Sequence, residues 1–273
     1  MGEKTILKLV NLSKRIGLYN FLRNNYHKRI AYFSFHPKWD LKNKIVSINY
    51  KGKKLFFKLT NEKSKYYSRP IWKSEPLGFL KNELKGYLNE CPEKYKKGIV
   101  LDIGSYQGAL PIYLRKIKNN KKRIICFEPI RENYLVLEEN LKLNKIDDAE
   151  IIKKGVWNKS EKVKFDSQGE TSSISKEGKV LLEVTDLDSE LKKLNISPKE
   201  ISLIKMDIEG AEIEALEGMK GILKKGSPFL AIASYHWRDD KQTYKKVEEI
   251  LKKAGYKVKT GYHKHLTTWA WKD

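Results

Sequence analysis

Ile201-Ser202-Leu203-Ile204-Lys205-Met206-Asp207-Ile208-Glu209-Gly210-Ala211-Glu212 is the stretch whose reading decides the fold. An apolar run of strand length ends in a cluster of carboxylates and a glycine, and an amphipathic pattern follows at once. A strand buried on both faces of a parallel sheet reads as such a continuous run. Its C-terminal end would deliver Asp207 and Glu209 to the mouth of an α/β sheet. The same letters also describe a salt-bridged helix start, because Asp and Glu favour the first helical turn on dipole grounds alone. The segments on either side decide between the two.

From about residue 78 the pattern is regular. A helix carrying Phe79, Leu80, Leu84 and Leu88 leads to Gly98-Ile99-Val100-Leu101-Asp102-Ile103-Gly104, a buried strand running into a glycine turn. A helix from about Ala109, the strand Arg123 to Glu128, a helix from about Arg131 to Leu143 and a third strand, Glu150 to Val156, follow. Such alternation with short links predicts parallel strands and right-handed crossovers. Residues 162 to 185 interrupt it with two strand-like runs, Lys162 to Phe165 and Lys179 to Val184, around a polar loop. An insertion of this kind often builds specificity at a sheet's rim. The opening stretch then becomes the fourth strand, its helix running to about Leu223. Pro228 to Ser234 reads as the fifth strand, and a helix with Tyr244, Val247, Ile250 and Leu251 stops at Gly255. Tyr256 to Thr260 and Thr267 to Trp271 alternate as an antiparallel edge hairpin does.

The part before residue 78 is of a different kind. Residues 1 to about 34 read as one or two short basic helices, and Ile45 to Tyr50 with Leu55 to Leu59 reads as a hairpin around Lys51 to Lys54. Residues 60 to 77 read as an irregular, aromatic-rich linker, a substrate lid or one wall of a cleft. With 273 residues, 40% hydrophobic and 33% charged, the composition is that of a globular protein rather than a disordered or membrane one. No apolar run reaches the roughly 18 residues a bilayer requires. The N-terminus lacks the apolar core and cleavage site of a secretory signal. Cys91 and Cys126 are the only cysteines. These features lead us to expect a reducing cytoplasm and no disulfide. The net charge of +22 admits two readings: a footprint for the phosphates of RNA or DNA, or a Lys-rich surface with Glu interleaved along its helices.

The chemistry gathers at strand ends. In Asp102-Ile103-Gly104-Ser105-Tyr106-Gln107-Gly108, Gly104 permits a tight turn, Gly108 permits close approach of the following backbone, and amide groups of the turn are expected to face a ligand. The dinucleotide fingerprint is absent, since Tyr106 fills its middle position. Asp102 fits an amino group better than a diphosphate. In Phe127-Glu128-Pro129 a carboxylate ends the second strand, placed to accept both hydroxyls of a ribose. Val156, in Gly155-Val156-Trp157, offers a backbone amide and an apolar face to adenine. In this order, at the ends of strands one, two and three, the signals point to S-adenosylmethionine.

Val100-Leu101-Asp102-Ile103-Gly104 and Phe127-Glu128-Pro129, with Thr185-Asp186-Leu187-Asp188 and above all Ile204-Lys205-Met206-Asp207-Ile208-Glu209-Gly210-Ala211-Glu212, resemble the FkbM family of S-adenosylmethionine-dependent methyltransferases over about residues 78 to 240. Tyr106 stands where the family usually has Asn. The resemblance implies a Rossmann-like α/β fold and methyl transfer, mostly to oxygen of sugars, polyketides or other small metabolites. The resulting expectation is a doubly wound, seven-stranded, mainly parallel sheet with an antiparallel C-terminal hairpin over residues 78–273, preceded by a small α+β extension over 1–77. Asp102, Gly104, Ser105, Tyr106, Gly108, Glu128, Pro129, Val156 and Asp207 are the expected cofactor residues. An attacking alcohol needs a base within hydrogen-bond reach, and His236 or Asp207 is expected in that role, with Glu209 orienting the acceptor. Two carboxylates and an imidazole also suit a divalent ion, but the sequence assigns no metal here, and His263 and His265 read as rim residues. The expected partner is a small-molecule or glycan substrate, with an RNA acceptor as the alternative.

Overall fold

In the computed structural model, residues 37–62, 71–73, 79–166, 173–174, 180–238, 241–262 and 265–273 are described. The predicted helices before residue 35, most of the 60 to 77 linker and His263 lie outside them. β1 (Lys38–Asp40), β2 (Ile45–Tyr50) and β3 (Lys53–Lys58) form an antiparallel sheet. Lys51 and Gly52, at φ +48° and +76°, make a two-residue turn. Positive φ at both central positions matches the twist of paired strands, so β3 begins at Lys53 and the expected four-residue loop shrinks to two.

The regular domain follows. α1 (Leu84–Leu88), preceded by a wider helical turn over Phe79–Glu83, leads to β4 (Ile99–Ile103), α2 (Ala109–Lys116), β5 (Ile124–Phe127), α3 (Arg131–Leu143) and β6 (Ala149–Ile152). Then come β7 (Gly155–Val156), β8 (Glu161–Asp166), β9 (Val180–Thr185), α4 (Leu187–Lys193), β10 (Ile201–Met206), α5 (Glu212–Glu217) and α6 (Lys220–Lys225). β11 (Phe229–Ala233), α7 (Tyr244–Lys253), β12 (Lys257–Gly261) and β13 (Thr267–Trp271) close the chain. The central sheet is seven-stranded in the order β12-β13-β11-β10-β4-β5-β6. Only β13 runs against its neighbours, pairing antiparallel with both β11 and β12. This is the doubly wound, mainly parallel sheet expected from the sequence.

Alternation along the buried strands sorts their side chains to two layers. Val100, Ile124, Cys126 and Leu203 join α1, α2 and α3 in one core. Leu101, Ile125, Phe127, Ile204 and Met206 join α4 to α7 in the other. In β10, Leu203, Ile204 and Met206 are each 0% exposed, together worth on the order of 5–8 kcal/mol of burial. That offsets the several kcal/mol of holding one ammonium, Lys205, in the same strand. The N-terminal hairpin docks on the first layer: Val46, Ile48, Leu55 and Phe57 share its core. The side chains of Asn140 in α3 and of its C-cap, Asn144, accept from the amides of Lys58 and Phe56.

Two expected elements are divided. The third strand stops at Ile152, and after Lys153-Lys154 the chain leaves the main sheet, so that Gly155 and Val156 pair instead with Val184 and Thr185 of β9. Val156 therefore belongs to the small second sheet that β9 makes with β8. The helix after Asp207 breaks at Gly218-Met219 into α5 and α6. A Cβ on Gly218 would sit 2.0 Å from the Trp157 carbonyl oxygen, so the break is where the small sheet's backbone presses closest. No helix of the described residues is long and apolar enough to cross a membrane.

Candidate active site

Chain order reverses at β4, whose neighbours are β5 on one side and β10 on the other. A doubly wound sheet opens a crevice at such a point, beyond the C-terminal ends of its strands. A cavity of about 530 Å³ lies there. Asp102, Gly104, Ser105 and Tyr106 line it from the first turn, and Glu128 and Pro129 from the end of β5. Val156, Asp207 and Glu209 line it as well, whereas Gly108 and His236 stand behind its wall.

The first turn is built by backbone constraint. Gly104 has φ +72°, and a Cβ there would lie 1.8 Å from the Asp207 carbonyl oxygen. Only glycine lets the ends of β4 and β10 touch. The Gly104 and Ser105 amides both donate to the Phe127 carbonyl at 3.0 Å, and Ser105 Oγ donates to the Asp102 carbonyl at 2.6 Å. Tyr106 is held at φ +49°, a left-handed conformation that costs a non-glycine residue on the order of 1 kcal/mol. Its amide donates to Glu128 Oε2 at 2.9 Å, while Glu128 Oε1 accepts from the Ile130 amide at 3.0 Å and Asn133 Nδ2 at 3.2 Å. A carboxylate offers about four lone-pair sites, so one on Oε2 is left for a ligand hydroxyl. Burial pushes the Glu128 carboxyl up, against the pull of those donors.

Asp102 is 1% exposed, and neither of its carboxylate oxygens makes a hydrogen bond. Lys205 Nζ lies 3.3 Å from Oδ1 but directs its hydrogen bond to the Gly104 carbonyl at 2.6 Å. The pair is Coulombic without being aligned. Burial disfavours the Lys205 ammonium, but Asp102 and Asp207 outweigh it and keep its pKa above the ordinary value. Lys205 went unassigned in the sequence reading, although a single lysine in an apolar strand already signals a buried partner. The apolar wall was likewise not foreseen in detail: Val163 and Phe165 of β8 and Leu182 and Val184 of β9 continue from Val156 around the cavity. Thr185-Asp186-Leu187-Asp188 is structural. Asp186 caps α4 through the Ser189 amide, and Asp188 accepts from the Gly221 and Ile222 amides of α6.

At the other end of the cavity, charges crowd. Asp207 Oδ2 accepts from the Tyr87 hydroxyl at 2.7 Å, and that hydroxyl also lies 3.0 Å from His265 Nε2. Asp207 Oδ1 is 3.5 Å from His236 Nε2, which is 3.6 Å from Glu209 Oε2. On its far side the ring's Nδ1 lies 2.9 Å from Glu212 Oε1, an oxygen that also accepts from the Ile208 and Gly210 amides at 3.3 and 3.2 Å. Burial works against the Asp207 carboxylate, but His265, Lys205 and His236 prevail and hold it far below the usual range. Burial also disfavours charge on His236, yet Glu212, Asp207 and Glu209 push its pKa up to about 9. Glu209, at φ +57° and half exposed, is raised by its own burial and by Asp207. His265 is not at the rim: it is 8% exposed, tied to Tyr87 beneath Asp207.

The methyltransferase FkbM domain matches residues 102–258. The structure is similar to that of a methyltransferase FkbM from Methylobacillus flagellatus KT, with a TM-score of 0.50 at 20% identity over 73% of this chain and 55% of that one. The chain thus spans about half the length of that relative. It also resembles the fibrillarin pre-rRNA processing protein of Methanococcus jannaschii (TM-score 0.46, 13% identity, 87% of this chain and 97% of that one). A third likeness is to Aeropyrum pernix fibrillarin, crystallised with natively bound S-adenosyl-L-methionine (0.45, 13%, 85% and 95%). Functionally curated sequences gave no match. On the match over residues 102–258, the chain belongs to the FkbM methyltransferase domain family.

Proposed function

We propose that the protein transfers a methyl group from S-adenosylmethionine to a hydroxyl oxygen of a sugar, a glycan or another small metabolite. The observation that carries this reading is one cavity lined by Asp102 and Glu128 at one end and by Asp207 and Glu209 at the other, with His236 Nε2 3.5 Å behind Asp207 Oδ1. The cradle fits the cofactor. The two carboxylate oxygens of Asp102 have no hydrogen bond and suit the methionine ammonium, the remaining site on Glu128 suits a ribose hydroxyl, and Val156 with its apolar neighbours suits adenine. When bound, S-adenosylmethionine supplies a sulfonium methyl to an oxygen attacking in line, the electron pair of the broken C–S bond returning to sulfur.

The chain's own task is to hold the acceptor and take its proton. Much of the acceleration in such a displacement comes from positioning. Glu209 Oε2, at the mouth of the cluster, orients the acceptor. Asp207 Oδ1 lines the cavity on the side of that proton, and His236 Nε2, 3.5 Å behind it with a pKa pushed up to about 9, can take a proton only in its neutral fraction. The net charge of +22 supports an RNA acceptor as the second reading.

Calorimetry with S-adenosylmethionine is the first test, with saturable binding as the expected result; none at millimolar cofactor overturns the proposal. Labelled methyl transfer into a glycan and small-metabolite extract, run beside total RNA, then separates the acceptors. Label in the RNA alone moves the assignment to the second reading.

A further inference from the structure

Beside the proposed cofactor cradle, three ligand atoms converge. His236 is 8% exposed, and its Nε2 makes no hydrogen bond, nor does Asp207 Oδ1. Nε2 lies 3.5 Å from Asp207 Oδ1 and 3.6 Å from Glu209 Oε2, and no two of the three atoms are more than 4.8 Å apart. With the third side at 4.8 Å or less, the triangle's centre lies no more than about 2.4 Å from each corner, close to the bond lengths of about 2.0–2.2 Å that first-row divalent ions make to imidazole and carboxylate. From these distances we infer that Asp207 Oδ1, Glu209 Oε2 and His236 Nε2 form a binding site for a first-row divalent cation.

The surroundings are arranged as such a site requires. A ligating histidine commonly gives its second nitrogen to a carboxylate, which fixes the tautomer and the ring's orientation. Here Nδ1 faces Glu212 Oε1 at 2.9 Å, and that side chain is 0% exposed and anchored by the Ile208 and Gly210 amides. Asp207 is steered in the same way, since the Tyr87 hydroxyl engages Oδ2 and leaves Oδ1 toward the cluster. Glu83, Asp207 and His265 form a second group within ligand distance. There, however, the Tyr87 hydroxyl already stands between Asp207 Oδ2 and His265 Nε2, so the first group is the one whose facing atoms are not already bridged. Asp207 and Glu209 line the cavity, with His236 behind them, so the coordination positions left by three protein ligands open toward it, the arrangement of a catalytic rather than a structural ion.

Two hard oxygens and one imidazole suit Mn²⁺, Zn²⁺ or Fe²⁺ better than the all-oxygen preference of Mg²⁺. The inference rests on the proposed function in one respect, that the acceptor's oxygen arrives at this end. Bound to the ion, that oxygen would shed its proton more readily, as ion-bound water does.

Paramagnetic resonance of free Mn²⁺, titrated with the full chain at neutral pH, reads the site without any turnover. One Mn²⁺ should bind per chain. Glu209→Gln, a substitution at a half-exposed position, should weaken it at least about tenfold, as should His236→Ala, and Glu212→Gln by roughly tenfold through the ring's orientation. Absence of a site tighter than about 1 mM, or wild-type affinity in Glu209→Gln, overturns the inference. S-adenosylhomocysteine titrated in parallel keeps the two readings apart. Cofactor binding without Mn²⁺ removes the metal site alone, whereas Mn²⁺ binding without cofactor supports it and removes the methyltransferase reading.

Discussion

The two ends of the cavity are built on opposite principles. At the proposed cofactor end the turn's amides are satisfied locally, Gly104 and Ser105 on Phe127 and Tyr106 and Ile130 on Glu128, and the two unpartnered carboxylate oxygens of Asp102 sit beside the Lys205 ammonium. At the proposed acceptor end the groups come from distant segments, Tyr87, Asp207, His236 and His265, and three of their buried polar atoms, Asp207 Oδ1 and both ring nitrogens of His236, have no hydrogen bond. The first arrangement is a geometry that the fold itself maintains. The second is held electrostatically at a cost in stability, because unpartnered buried polar atoms are expensive. Such a cost is commonest where chemistry needs reactive lone pairs.

Substitutions should therefore separate the ends. The largest effect is expected from His236→Ala, which removes the central member of the cluster: kcat should fall by about 10²–10⁴, the range for loss of a proton-handling group, with cofactor affinity unchanged in calorimetry. Equal loss of cofactor affinity would mean the two ends are one unit. Gly104→Ala should do what His236→Ala does not, because its Cβ would strike the Asp207 backbone at 1.8 Å from a positive φ. We expect a loss of about 2–4 kcal/mol in stability and of roughly 5–15 °C in Tm by calorimetric scanning, with both ends impaired. Glu128→Gln should weaken S-adenosylhomocysteine by roughly tenfold to a hundredfold, the worth of a charge-assisted hydrogen bond, while kcat at saturating cofactor is retained. A fall in kcat with unchanged affinity would place Glu128 on the wrong side of the comparison.

The same contrast explains what was legible in the sequence. The cofactor end is local: an acid and a glycine where a strand turns, then an acid at the end of the next strand, so that Asp102, Gly104 and Glu128 stand out before any folding is considered. Alternation of apolar runs marked every strand of the central sheet. Boundaries failed where tertiary contact overrode local pattern, as at Gly218, where nothing in an amphipathic run announces the Trp157 carbonyl 2.0 Å from the glycine's missing Cβ. Lys153-Lys154 gave equally little warning that the third strand ends there and that Val156 belongs to another sheet. The acceptor end was legible only in part. Asp207, Glu209 and His236 lie at strand ends and could be named, but Tyr87 reads as one more apolar helix residue, and only the fold brings its hydroxyl to a carboxylate 120 positions away. His265 reads as a rim residue, and only the fold ties it to Tyr87.

Tyr87 supplies the finest division between the ends. Its side chain is 0% exposed, and its hydroxyl joins Asp207 Oδ2 at 2.7 Å to His265 Nε2 at 3.0 Å. Tyr87→Phe keeps the ring that packs against Phe79 and His265 and deletes only the oxygen. Stability should drop by about 1–3 kcal/mol, since Asp207 and His265 both lose a buried partner. If the hydroxyl serves packing alone, that loss is the whole effect. If it steers Asp207 so that Oδ1 faces His236, turnover should also fall, by about tenfold, the worth of one hydrogen bond, while S-adenosylhomocysteine binds as in the wild type. Cofactor affinity measured beside kcat at a temperature well below the lowered Tm distinguishes the two, because a general loosening of the fold would move both and a turned carboxylate moves only one.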